Sequence, residues 1–244
     1  MSGDRGRRTQ PLAIVLLPGL EGTGLLFRRF LAATPREFEP QVMPLPQAGN
    51  MAYSALADLI LPKLPADRPY VLLGESFAGP LALEIARRRP AGLVAVVLCV
   101  TFVRPPSWSW LRFFARDWLF VARPPSLGFR LVLAGRHADA ELLEEVRQAR
   151  RSASGPAMAA RLREVLSVDA RAALRDCPVP VFALHGQEDR LVRSGSAQTM
   201  RKARPNLAEV TLEGPHLLLQ TKPRECWAAI ADFVRSTEAS GGRN

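Results

Sequence analysis

The stretch Leu72-Leu-Gly-Glu-Ser-Phe-Ala-Gly-Pro-Leu-Ala-Leu-Glu-Ile-Ala86 decides how this chain is read. An apolar run, Tyr70-Val-Leu-Leu73, stops at Gly74, and a helical pattern begins almost at once. Ser76 sits on the corner between Glu75 and Phe77, flanked by Gly74, Ala78 and Gly79. A serine there either caps the helix or serves as a nucleophile exposed at a strand-to-helix turn.

The alternation continues on both sides. Apolar runs predict strands at Leu12–Leu17, Gln41–Leu45, Tyr70–Gly74, Leu93–Thr101, Val179–His185 and Glu209–Leu212. Between them, helix-period segments fall at Leu25–Ala33, Met51–Leu64, Gly79–Arg88, Gly195–Lys202 and Pro223–Thr237, with a frayed tail over Ser236–Asn244. Strands alternating with helices imply a parallel sheet with crossover connections. The first, third, fourth and fifth runs are almost unbroken Val/Leu/Ile/Ala, as strands covered on both faces require.

One interval departs from the rhythm. From Arg104 to about Arg175 the patterns are helical, punctuated by Pro105-Pro106 and Pro124-Pro125. Trp110, Phe113, Phe114 and Trp118 share one helix face there. The expected organisation is a core of residues 1–103 and 176–244 with an all-helical cap at 104–175, since the sheet resumes directly afterwards. The aromatic stripe either packs the cap on the core or lines an apolar substrate site.

Composition bounds the function. At 244 residues, 48% of them hydrophobic, the chain can bury one large α/β core. No apolar run reaches the roughly 18–20 residues that span a bilayer. The N-terminal Arg-rich stretch before Leu12 imitates a secretion signal, but its apolar part is short and ends in Pro18-Gly19. Cys99, Cys177 and Cys226 are odd in number and widely spaced, so buried thiols in a cytoplasmic protein are expected.

The net charge of +10 comes from arginine, the lysines being Lys63, Lys202 and Lys222 alone. Between Arg104 and Arg175 stand thirteen arginines against seven carboxylates. The bland reading is an arginine-biased solvated surface. The sharper one is a positive face for a small acidic substrate, an acidic carrier protein or an anionic membrane surface. Nucleic acid is not expected: no zinc-ligand spacing, recognition helix or aromatic–basic strand pattern accompanies the charge.

Parallel sheets carry their chemistry beyond the carboxyl ends of the strands. After the first strand comes Leu17-Pro-Gly-Leu-Glu-Gly-Thr-Gly24, a glycine-rich loop with no GK[ST] to make it a phosphate loop. Ser76 follows the third strand, Asp189 the fifth and His216 the sixth. Serine is a weak nucleophile until a base removes its proton, and a carboxylate fixes the tautomer of that base. His137 lies in the insertion and His185 at a strand end, which leaves His216 as base. Asp189 has better spacing as the acid than Glu188 or Asp169, while Glu75 and Glu21 read as supporting or solvated carboxylates.

These motifs in this order resemble the α/β-hydrolase superfamily along essentially the whole chain. The resemblance implies a compact, mostly parallel six-stranded sheet flanked by helices, Ser76, Asp189 and His216 as catalytic residues, and no metal or other cofactor. It also implies an oxyanion hole from the backbone N–H groups of Leu20 and Phe77. Gly186-Gln-Glu-Asp-Arg-Leu-Val192 matches the acid loop of that family, G-x-x-D-x-x-V. Two features depart from it: the elbow has Ala78 where G-x-S-x-G has glycine, and Pro18-Gly19 stands where His-Gly is usual.

A serine relay beside an oxyanion hole suits acyl transfer, so the expected activity is hydrolysis of a small-molecule carboxylic ester with an apolar acyl or alcohol group. A broad similarity to biotin-pathway carboxylesterases adds an acyl ester on an acidic carrier protein. Thioester hydrolysis, transfer to an alcohol or amine, C–C bond cleavage by the same triad, and a non-catalytic hydrolase-like binding protein are the alternatives.

Overall fold

The computed structural model describes residues 10–105, 133–192 and 194–241. Six strands form one sheet in the order β2-β1-β3-β4-β5-β6, and every pairing is parallel. They are β1 (Leu12–Leu17), β2 (Phe38–Val42), β3 (Tyr70–Glu75), β4 (Leu93–Cys99), β5 (Val181–Gly186) and β6 (Ala208–Leu212).

Helices cover both faces. They are α1 (Arg28–Ala32), α2 (Tyr53–Ile60), α3 (Ala78–Arg87), α4 (Ala140–Ser152), α5 (Gly155–Ser167), α6 (Arg171–Arg175), α7 (Ser194–Ala203), α8 (Leu218–Thr221) and α9 (Pro223–Gly241). Side-chain alternation divides β1 between two cores. Ala13, Val15 and Leu17 pack with Leu56 of α2 and Leu81 of α3, while Leu12, Ile14 and Leu16 pack with Phe30 of α1 and Trp227 and Ile230 of α9. On the second face Trp227 stacks on Phe30 at 4.3 Å and donates its indole N–H to the Phe30 carbonyl at 2.8 Å.

Some boundaries differ from the sequence reading. The second strand is Phe38–Val42, not Gln41–Leu45. It contains Pro40, which has no N–H to give; at the sheet edge that missing donor harms no ladder. The apolar Met43 and Leu45 lie just beyond it, where Met43 donates to Leu16 and Leu45 to Gly22. The first and second predicted helices each contain a 3₁₀ turn, at Leu25–Phe27 and Leu61–Lys63. The last helix runs on to Gly241 through part of the expected frayed tail.

The described part of the insertion is helical. It meets the loops at the strands' carboxyl ends: Leu133 accepts a backbone bond from Leu217, and Ser154 of the α5 N-terminus donates to Gln47. Trp110, Phe113, Phe114 and Trp118 lie outside the described residues.

Candidate active site

The sheet order reverses direction between β1 and β3, so their following loops flank a crevice. Ser76 occupies the turn between β3 and α3 with φ of 51°, a left-handed conformation that a side-chain-bearing residue adopts at a cost. The turn is that tight because two glycines allow it. A Cβ at Gly74 would strike the Ala78 carbonyl, and one at Gly79 would strike the Thr101 side chain. Ala78, the departure from G-x-S-x-G, is tolerated because the close approach falls on its neighbour Gly79. Thr101 also donates its hydroxyl to the Ser76 carbonyl, tying the turn to the end of β4.

His216 and Asp189 reach Ser76 from the far side of the sheet. The His216 Nε2 lies 2.9 Å from the Ser76 Oγ, and its Nδ1 lies 2.8 Å from Asp189 Oδ2. The other oxygen of Asp189 accepts the N–H groups of Leu191 and Val192, each at 2.8 Å. A carboxylate so engaged holds the imidazole with its proton on Nδ1 and its Nε2 lone pair towards the serine. The Asp189 and His216 side chains are buried, 2% and 6% exposed, while Ser76 is half-buried. The two loops are laced together, with Gln187 donating to Leu212 and Glu188 to Gly214.

The competing groups are engaged elsewhere. Glu188 faces the insertion, 2.6 Å from Arg136 and 3.4 Å from His137. Asp169 pairs with Arg171. His185 lies 3.2 Å from Glu209, and burial lowers its pKa.

Leu20 and Phe77 are on the two loops that border Ser76. Among the described residues, neither gives its backbone N–H to a protein acceptor. Phe77 is at the N-terminal end of α3, where N–H groups have no partner within the helix. The Phe77 carbonyl accepts the Tyr53 hydroxyl at 3.2 Å, and the two rings stack at 4.9 Å.

Glu75 and Glu21 are not solvated: both are buried. Glu75 accepts from the Gln220 side chain at 2.9 Å and from the Gly19 backbone. Burial, tempered by these bonds and by His216, pushes its carboxyl up to about 7. Gln220, Thr101, Tyr53 and Arg161 were not singled out in the sequence, since none stands at a motif position; only the three-dimensional crossing of loops reveals them. Cys99, Cys177 and Cys226 are free and buried. Among the described residues, no group of three His, Cys, Asp or Glu side chains is placed to hold a metal ion, and no helix is long and apolar enough to cross a membrane.

Comparison with known proteins agrees with this architecture. A model of the alpha/beta hydrolase family matches residues 6–229. A pimeloyl-[acyl-carrier protein] methyl ester esterase of Methylococcus capsulatus is 28% identical over 205 residues, covering 79% of this chain and 80% of that protein. The protein of the same name from Nitrosospira multiformis is 28% identical over 197 residues, 74% of this chain and 73% of its own. Among solved structures, a thermophilic esterase from Thermogutta terrifontis superposes with a TM-score of 0.76 at 23% identity, covering 93% of this chain and 91% of that one. A hydrolase from Pseudomonas aeruginosa superposes with a TM-score of 0.79 at 18% identity, covering 94% and 92%. These structures share the fold. The chain belongs to the alpha/beta hydrolase family.

Proposed function

We propose that this family member is a serine carboxylesterase that hydrolyses carboxylic esters through an acyl-enzyme. The observation that carries the reading is the unbroken chain Ser76–His216–Asp189, with hydrogen-bond lengths of 2.9 and 2.8 Å, ending on a serine held at a strained turn.

The steps follow from that geometry. Ser76 Oγ attacks the ester carbonyl carbon while its proton passes to His216 Nε2. Asp189 stays ionised and stabilises the imidazolium so formed. The carbonyl oxygen becomes an oxyanion held by the N–H groups of Leu20 and Phe77. As the tetrahedral centre collapses, the C–O bond to the alcohol breaks and His216 protonates the departing oxygen. Water then gives a proton to His216 and attacks the acyl carbon, and Ser76 leaves with that proton.

Residues 104–175 form the cap of the core 1–103 and 176–244 in this reading. The reading assigns binding of the acyl or alcohol group to Trp110, Phe113, Phe114 and Trp118, which lie outside the described residues. The curated relatives favour a more specific substrate, a methyl ester of an acyl chain on an acidic carrier protein. The excess of arginine over carboxylate at 104–175 suits such an anionic partner. Purified protein assayed against p-nitrophenyl esters, thioesters and carrier-linked methyl esters of graded chain length, with Ser76→Ala as control, tests the reading. Ser76-dependent ester cleavage supports it; thioester, C–C or acceptor-dependent turnover alone would replace it with another acyl-transfer activity, and Ser76-independent turnover would end it.

A further inference from the structure

Arg161, midway along α5 in the inserted segment, is 0% exposed. A buried cation is expensive unless its hydrogen bonds and charge are met. For Arg161 they are met at two nitrogens, by the loops that follow β1 and β2, while its Nε is buried without a partner among the described residues. Its Nη1 donates to the Leu20 carbonyl at 2.9 Å, across 141 residues of chain, and its Nη2 donates to the Pro46 carbonyl. The nearby carboxylate of Glu21, itself gripped by the N–H groups of Thr23 and Gly24, supplies the countercharge. Burial pulls the guanidinium down to about 10, so it remains charged at neutral pH.

The loop is shaped around this side chain. Gly22 has φ of 72°, and a Cβ there would overlap the guanidinium. Gly22 also donates its N–H to the Gly19 carbonyl at 3.1 Å. That bond orients the peptide plane between Gly19 and Leu20, whose opposite side is the Leu20 N–H. A second strut runs beside the first: Gln47 accepts from Ser154 N–H at 2.8 Å and donates to the Glu21 carbonyl at 3.2 Å. The Leu20 carbonyl, held by Arg161, and the Glu21 carbonyl, held by Gln47, are therefore both tied from outside their own loop, and both ties lead to α5 or its N-cap Ser154.

We propose that Arg161, seconded by Gln47, is a positioning residue for the oxyanion hole. By fixing the Leu20 carbonyl on one side of Leu20 and packing against Gly22, whose N–H holds the Gly19 carbonyl on the other, it aims the Leu20 N–H in the Gly19–Leu20 peptide plane. It thereby makes helix α5 part of the catalytic framework as well as a cover. A donor held rigidly before the anion forms stabilises the transition state without having to reorganise. The proposal rests on the serine-esterase reading, with Leu20 as one donor.

The test compares wild type, Arg161→Lys, Arg161→Ala and Gln47→Leu with p-nitrophenyl acetate, active sites being counted by fluorophosphonate titration and folding checked by circular dichroism. Lysine keeps the charge but cannot span both carbonyls. The expected result for Arg161→Lys is a 10- to 100-fold fall in kcat with KM within about twofold. Affinity for a trifluoromethyl ketone, which mimics the tetrahedral oxyanion, should fall by the same factor as kcat/KM. Guanidinium at low, non-denaturing concentration should restore part of kcat to Arg161→Ala and none to Arg161→Lys. Gln47→Leu, which leaves Arg161 in place, should lose kcat severalfold, and it decides the matter if the Arg161 variants do not fold. Unchanged kcat and ketone affinity per active site in a folded variant, or a change in KM alone, overturns the proposal. Wild-type turnover that persists in Ser76→Ala sinks the esterase reading itself, and this proposal with it; Ser76-dependent turnover indifferent to Arg161 and Gln47 sinks this proposal alone.

Discussion

Ser76 and His216 are 140 residues apart in the chain and 2.9 Å apart in the fold, joined by a hydrogen bond from the serine hydroxyl to the imidazole Nε2. The β3 turn and the loop after β6 meet only because the sheet is complete between them. The relay should therefore fail as a unit. His216→Ala is expected to lower kcat by about 10³–10⁶-fold, with Asp189→Asn costing somewhat less. Steady-state kinetics on folded variants check this, and a His216→Ala variant within tenfold of wild type would remove the histidine from the reaction.

If the Leu20 N–H is an oxyanion donor, removing it is a sharper test than replacing the Leu20 side chain. Leu20→Ala keeps the N–H and should alter ester preference while retaining most turnover. Leu20→Pro deletes the N–H and should raise the barrier by about 2.7–4 kcal/mol, the loss found for a single such donor. A folded, fully active proline variant would put the hole elsewhere.

Glu75 makes stability depend on pH in a definite direction. Its folded pKa, about 7, lies above the ordinary 4.5 because burial penalises the carboxylate. The folded state thus binds this proton more tightly than the unfolded one. The stabilising effect is complete below about pH 4.5 and is lost as pH rises through 7, a difference of roughly 3 kcal/mol. Glu75→Gln keeps an acceptor for Gln220 and Gly19 but cannot ionise. Relative to wild type, its unfolding free energy should improve between pH 5 and pH 8; a pH-independent difference between the two in urea melts contradicts the assignment.

The elbow glycines make a contrast with a glycine elsewhere. A Cβ at Gly74 meets backbone, which cannot move aside, whereas one at Gly195 meets nothing within 4 Å. Gly74→Ala should cost about 1–3 kcal/mol or more, the range for overpacking. Gly195→Ala, in α7, should be neutral or slightly stabilising. Equal effects in chemical denaturation would mean that the tight crossing is not a packing constraint.

The arginine excess at 104–175 gives a kinetic prediction. If this charge steers an anionic carrier, kcat/KM for a carrier-linked ester should fall as salt rises, while that for a neutral short ester stays flat. Reversing Arg112, Arg116 and Arg123 to Glu should weaken the first substrate only. Equal salt responses would make the charge incidental.

The sheet was legible because β1, β3, β4 and β5 are buried on both faces and so appear as continuous apolar runs. The edge strand β2 was misplaced by three residues, since its alternating, proline-containing sequence looks less like a strand than the apolar loop after it. Ser76, Asp189 and His216 could be named because they follow strand ends at short, regular spacing. Arg161 and Gln220 could not. Each looks like an ordinary polar residue on a helix until the loops it holds are folded against it, and nothing local marks an arginine that will be buried.

The most direct test is to quench the reaction with p-nitrophenyl acetate within the first turnovers and map the acetyl group by peptide mass spectrometry. The account predicts an acetyl ester on Ser76, forming with a burst of nitrophenol and persisting longer in His216→Ala if that variant is first acylated by a more reactive donor. Turnover without an adduct in Ser76→Ala at the wild-type rate, or an acetyl group mapped to another residue that turns over competently, would contradict it.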